Sequence, residues 1–444
     1  MSQQMLPDGL SSLFTPFAPV FTTPSFRYFC QWVLTMMLVE GRKCATTVWA
    51  HGPRDRHFTN YSRLLSRYRW SCQKLAQTLV AVLWQAVPRP RRGQQRLYLA
   101  LDDTLVAKSG RRQDGVGLHL QPNAQRKSHF VKGHCWVVLG MLSWLGERAL
   151  CFPLTAAVYV RKKDCLQGQV FRDKIELGLR LLQGLRWPAQ PALTVIADGA
   201  WAVHRFVAGV RAQGHHVITR LRHNARVHLP LAPPVAKNRG RPRKYGRRVH
   251  LASWVQDPSH GQHIALRLYG QSVSLWLGSL DAVPRVLGAL ARIVVVRIPR
   301  QPLVVLMCTD LSLSPEQIVL RYASRFSIEI AFRELKQRFG FGDYQARSRE
   351  AILRHVHLSF IACSLLQTIL VGLLLCRAKA LSSLLCQPWR DPAHPLTLGQ
   401  TRLLLQQLTL LEGIFSTSAP QRSYQKIILQ RLRRVFARMK CAEL

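Results

Sequence analysis

The chain alternates between two hydrophobic periods, and the places where one gives way to the other outline its architecture. Apolar residues recur at helical spacing over Phe26–Val39 and Ser62–Val87, with Arg54, Arg56, Arg63, Arg67 and Arg69 between and around them. Arg89, Arg91 and Arg92, interleaved with Pro88 and Pro90, read as a basic linker. From Arg96 the pattern becomes strand-like: RLYLALDD is a short buried run ending in Asp102 and Asp103. A basic loop with Lys127, His129, Lys132 and His134 follows, then two strands over Cys135–Leu145 and Ala149–Val160 that turn at Gly146. A helix over Leu166–Leu185, a strand over Leu193–Ala197 ending at Asp198, a helix over Val203–Val210 and a strand over His216–Leu221 complete this block.

The next segment is different. Val227–Arg248 is rich in Pro, Gly and Arg, and His263–Gly278 and Arg292–Arg297 read as strands. Ser314 and Pro315 then open a helix that nothing interrupts before Gly340, roughly six turns. Leu358–Cys376 is nineteen residues without a charge, long enough to span a membrane. Ser359, Ser364, Gln367 and Thr368 dilute it and basic residues flank both sides, so a core helix is the preferred reading. Residues 396–444 are again helical and basic. These shifts divide the chain into residues 1–92, 93–222, 223–302, 303–376 and 377–444.

Composition narrows the partners. Lys and Arg number 63 against 22 Asp and Glu, a net charge of +41, which points to a polyanion, nucleic acid first. The eleven cysteines contain no C-x-x-C pair, which fits reduced thiols in a cytoplasmic chain and argues against a zinc site or disulfide frame. The start MSQQMLPDGL lacks a basic segment followed by an apolar core, so no signal peptide is expected.

Within the long helix, Tyr322, Glu329 and Lys336 are seven residues apart, within about 20° of two full turns. Arg325 and Arg333, four residues either side of Glu329, fall on the same stripe, while Phe326, Ile328, Ile330 and Leu335 supply the apolar remainder. A solvated row of ion pairs would balance its charges; this row surrounds one carboxylate with three cations and a phenol. A phosphodiester beside a metal-binding carboxylate would use that arrangement.

The gapless set Tyr322, Arg325, Glu329 and Lys336 resembles the Y-R-E-K signature of a large group of bacterial insertion-sequence DDE transposases. That resemblance implies an α/β fold: an RNase H-like mixed-sheet core with a mostly β insertion, flanked by helical N- and C-terminal regions, the former binding DNA. The element order from Arg96 to Leu221 agrees with such a core. The resemblance also implies two aspartates that join Glu329 around two Mg²⁺ or Mn²⁺ ions. Asp198 supplies one, although Asp-Gly is also a hairpin signal. The other is Asp102 or Asp103. An Asp-any-Thr pattern selects Asp102, and an acid-Asp-Thr pattern selects Asp103. The expected metal set is Asp103, Asp198 and Glu329, with Asp102 kept as the alternative. Asp310 is a rival to Glu329 without a cation row.

Tyr322, Arg325, Arg333 and Lys336 are the expected DNA-backbone contacts. Arg239 and Arg241 join them through Arg239-Gly240-Arg241-Pro242, which resembles an AT-hook core; an ordinary basic loop is the other reading. The implied partner is double-stranded DNA, element ends and target, bound by a homodimer, with no membrane. The implied activity is metal-dependent DNA cleavage and strand transfer. A nuclease without strand transfer, or a transposase-derived DNA-binding regulator, are the alternatives.

Overall fold

A computed structural model describes residues 10–52, 57–87, 96–110, 112–121, 129–231, 244–375 and 396–415. Five helices come first: α1 (Ser11–Phe14), α2 (Thr23–Leu38), α3 (Ala45–Ala50), α4 (Thr59–Ser66) and α5 (Cys72–Ala86). The single helix expected over Ser62–Val87 is thus two, because Ser71 accepts from Lys74 N and caps a new start at Cys72. The basic linker, Arg54, Arg56, and Arg239 with Arg241 lie outside the described residues.

The core follows as β1 (Arg96–Ala107), β2 (Gly117–Gln121), β3 (His129–Leu145), β4 (Arg148–Tyr159), α6 (Lys174–Gln183), β5 (Ala192–Ala197), α7 (His204–Ala212) and β6 (His216–Leu221). The chain then runs through β7 (Val227–His228), β8 (Arg248–Val249), α8 (Leu251–Trp254), β9 (Gly261–Leu268), β10 (Gln271–Pro284), β11 (Ala291–Arg297) and β12 (Val304–Cys308). It closes with α9 (Pro315–Ser324), α10 (Phe326–Arg338), α11 (Arg349–Leu375) and α12 (Leu398–Phe415).

β1 pairs antiparallel with β3 and parallel with β5, β5 pairs parallel with β6, and β4 lies outside β3. That spatial order, β4-β3-β1-β5-β6, is the RNase H-like arrangement. The β-rich segment continues the same sheet: β12 pairs antiparallel with β6, then come β11 and β10, with β9 and β7 on β10 and β8 on β7.

Four local expectations need correction. β1 does not end at the aspartates but runs five residues beyond Asp102, because β3 continues alongside it as far as the pair Ala107 and Gly133. β2, read as loop, is the short edge partner of β3. α6 begins at Lys174, where Asp173 accepts from Glu176 N; the apolar residues Leu166 and Val170 before it are exposed. The one strand expected over His263–Gly278 is a hairpin turning at Tyr269 and Gly270, both with positive φ, as a two-residue hairpin of the primed type requires.

α11 is long and apolar enough to cross a membrane, yet its hydropathic stretch is entirely buried within the protein. It packs on β4 and is enclosed by α2, α4, α5, α10 and α12. Apolarity all round a helix is what burial on every side demands. Its hydroxyls are satisfied within the protein: Ser364 donates to Pro153 O at 2.9 Å, Thr368 to Ser364 O, and Ser359 to Val356 O, whereas Gln367 Oε1 is buried without a partner among the described residues. Arg354 donates to Leu65 O and Trp70 O, and the Trp32 indole meets the His355 ring edge-on. The N-terminal helices therefore close over α11, the packing role that basic helices here also allow.

Burial drives His134, His355 and His357 down to about 4. The neutral ring that the fold requires is in place above pH 6.5, and its stabilisation is lost as pH falls toward 4. Each such histidine contributes a slope of up to about 1.4 kcal/mol per pH unit in that window. His357→Gln should therefore flatten the acid side of the stability profile in urea unfolding between pH 7 and 4. An unchanged slope would show that this ring is not buried neutral.

Candidate active site

The parallel β1–β5 ladder ends at the pair Leu101 and Ala197. The next residue along each is an aspartate: Asp198 follows the end of β5, while Asp102 continues in β1 opposite Val138, and the two carboxyls are close enough to act on one another. Asp198 turns into a short helical turn, its Oδ1 accepting from Ala200 N at 3.0 Å, while Thr219 on β6 donates to its carbonyl at 2.8 Å. Asp198 is thus both a turn residue and a neighbour of Asp102; the hairpin signal did not exclude the site.

Asp102 and Asp103 separate because side chains alternate across a strand. On one face of β1, Tyr98 lies under Arg321 of α9 and Asp102 meets Arg325. On the other, Leu101 faces α6 at Gly178, and Asp103 accepts from Lys174 Nζ at 2.7 Å and from Cys135 Sγ at 3.4 Å. Any Cβ at Gly178 would come within 2.9 Å of Leu101, so glycine there lets α6 close on β1. The structure therefore brings Asp102, and not Asp103, to the face that α9 and α10 cover.

The expected six-turn helix is broken once. Ser314 caps its start, with the reciprocal bond from Gln317, and Gly340 at φ +66° ends it. At Arg325 the N–H turns to the Tyr322 carbonyl at 3.0 Å, and α10 begins afresh. The stripe survives this step. Arg325 donates to Asp102 Oδ2 at 2.7 Å and to Glu329 Oε1 at 2.8 Å, joining a carboxylate of β1 to one of α10. Ile328 and Leu335 are buried as expected, but Phe326 and Ile330 are exposed; Ala331 and Phe332 take their places against the core. Arg333 and Lys336 are also exposed, and neither has an ion-pair partner among the described residues.

Burial pushes the Asp102 carboxyl up to about 7; Arg325 pulls against this and Asp198 adds to it. Two carboxylates at adjacent strand ends repel, which is the setting where a cation is needed. Burial also raises the Tyr322 phenol, which lies within reach of Arg325, Arg220 and Asp198. The sequence reading missed Arg220. Its signal was its place at the end of β6, next to the strand that carries Asp198. Tyr269 was missed too. It stands at the β9–β10 turn, edge-on to Phe326 at 5.8 Å and close to Arg325 and Glu329. Tyr-Gly between two alternating runs was the available signal.

Asp310 is removed from this group. It is buried, pairs with Arg96 at 2.8 Å and accepts from Ser312 N and Oγ. Among the described residues no three acidic, histidine or cysteine side chains converge into a ready-made cation site. The donor chemistry still fits a hard divalent ion: oxygen donors only, with Asp102 and Glu329 already sharing one cationic group.

Residues 16–271, more than half of the chain, match the family described as DDE superfamily endonuclease. The chain belongs to that family. Membership carries nuclease or transposase chemistry on DNA with divalent metal ions. The matched stretch contains Asp102, Asp103 and Asp198 and stops before Glu329. No curated protein matches the chain.

If Asp310 serves the fold alone, Asp310→Ala should cost about 2 kcal/mol in urea unfolding by stranding Arg96. It should leave Mn²⁺ affinity, measured by titration calorimetry, where it was. A loss of metal binding would return Asp310 to the site.

Proposed function

We propose that the protein is a DDE transposase that cuts DNA at the ends of a mobile element and joins them to a target. The observation that carries this reading is the junction of Asp102 and Glu329 through Arg325, which lies 223 residues after Asp102 in sequence, beside Asp198 at the end of the β1–β5 ladder. It brings the Tyr322, Arg325, Glu329, Lys336 signature to the strand end where the family's first two acids are expected. On this geometry Asp102 replaces Asp103 in the metal set, giving Asp102, Asp198 and Glu329. Asp103 supports β1 through Lys174.

Asp102, Asp198 and Glu329 would hold two divalent ions, which would supply Lewis acidity at the scissile phosphate and activate water. The chain's own residues do the rest. Asp198 and Asp102, fixed by the sheet, hold their oxygens in register. Glu329, carried on α10, approaches from the helix layer. Arg333 and Lys336, exposed and unpaired, are placed to take non-bridging phosphate oxygens, and Tyr322 and Arg220 flank Asp198 for the same purpose. Tyr269 and Phe326 present aromatic faces beside Glu329, suited to stacking a base that has left its pair. A bacterial insertion-sequence origin, cut-and-paste excision and a cytoplasmic location belong to the same proposal. So does the pairing of two chains on DNA, which light scattering with and without duplex would test.

The decisive experiment uses labelled duplexes from the flanks of the reading frame, with Mg²⁺. Asp102→Asn, Asp198→Asn and Glu329→Gln should each lower end cleavage by at least about 10²–10³-fold, whereas Asp103→Asn should stay within tenfold of the unaltered protein. Cleavage surviving in the Glu329 variant would defeat the assignment. Cleavage without joining to a second DNA would favour a simple nuclease.

A further inference from the structure

Arg325 does more in this structure than wait for a phosphate. Its side chain is only 16% exposed, and two of its N–H groups are spent on Asp102 and Glu329 at 2.7 and 2.8 Å. Those are the oxygens that the proposed function assigns to a divalent ion, so the present inference rests on that reading. The guanidinium cannot lose its proton to make way. A divalent ion on those carboxylates would stand close to a fixed positive charge, and the repulsion between the two weakens the metal's hold unless the guanidinium turns to another anion.

Arg325 lies at the junction of α9 and α10, where its N–H bonds to the Tyr322 carbonyl and its own carbonyl takes Ile328 N as the next helix starts. On the same stripe, Arg333 and Lys336 are exposed and without an ion-pair partner among the described residues, so a DNA strand lying along α10 would bring a phosphate to the side chain once it is freed.

We propose that Arg325 is an internal counter-cation that competes with the divalent ions for Asp102 and Glu329 and is handed to a DNA phosphate when the metal binds. Off DNA, the guanidinium neutralises the carboxylates and weakens metal binding. With a phosphate available, its departure from the acids is compensated, and metal binding strengthens. Linkage then requires the reverse: metal must raise DNA affinity by the same factor by which DNA raises metal affinity. The consequence is an enzyme that loads its metal well only when its substrate is in place.

The test is Mn²⁺ binding to the full chain by titration calorimetry, without DNA and with a duplex that carries the element end. Arg325→Gln should bind Mn²⁺ at least about fivefold more tightly than the unaltered protein off DNA, and most of the gain on adding duplex should vanish. Arg325→Lys, which keeps the charge and loses the two-pronged geometry, should fall between them; circular dichroism melting confirms that each variant is folded. Equal or weaker Mn²⁺ binding by both folded variants would overturn the proposal, since a purely structural ion pair predicts no gain. Asp102→Asn and Glu329→Gln separate the two levels of argument. If they keep normal Mn²⁺ affinity, the metal site itself is misassigned. If they lose it while the Arg325 variants fail to gain, only the competition is wrong.

Discussion

Carboxylates held side by side repel unless positive charge stands among them, and the architecture around Asp102, Asp198 and Glu329 is arranged by that constraint. The parallel pairing of β1 with β5 forces the two aspartates together. The chain then returns, after more than a hundred residues, with a helix whose Arg325 reaches the sheet. Without that cation the end of the ladder would carry buried like charge. With it, the helix is tied to the strand that carries the site. The same pair of bonds thus serves folding and places a carboxylate from each layer within reach of one cation.

This accounts for why the β-rich segment lies where it does. Its strands extend the sheet edge from β6 through β12, so the chain re-enters the core at the strand beside the one carrying Arg220. From there α9 and α10 cross toward β1, and the β9–β10 turn lands against Phe326. An excursion of some eighty residues is used to bring one aromatic turn beside Glu329, while its strands remain hydrogen-bonded to the core.

Much of this was legible in the sequence, and the failures have physical causes. Strand ends marked by an acid after an apolar run located Asp198 and the Asp102–Asp103 pair, and seven-residue spacing located the stripe on the long helix. The choice between Asp102 and Asp103 was not legible. Both faces of β1 are covered, one by α6 and one by α9 and α10, so neither period nor polarity distinguishes them. What decides is the charge each meets, Lys174 or Arg325, and both partners come from elsewhere in the chain. The exposure of Phe326 and Ile330 was hidden for a related reason: apolar residues predict burial, and these two lie beside Glu329, where an apolar surface is left open. The break at Arg325 leaves no mark in the hydrophobic pattern, because the apolar rows continue through it.

The uncharged run in α11 shows how far apolarity alone can mislead. Its length and composition suit a membrane, but its serines, threonine and histidines each have a specific role inside the protein: Ser364 holds β4 through Pro153, and His357 meets Thr155 on the same strand. A lipid-facing helix has no use for such bonds to a sheet. Arg354 of α11 donates to the carbonyls of Leu65 and Trp70 in the N-terminal segment, so part of the chain's positive charge is spent on closing those helices over the core. In a chain with so large a positive excess, the number of cations therefore says less than their pairing: Arg333 and Lys336 are exposed and have no ion-pair partner among the described residues.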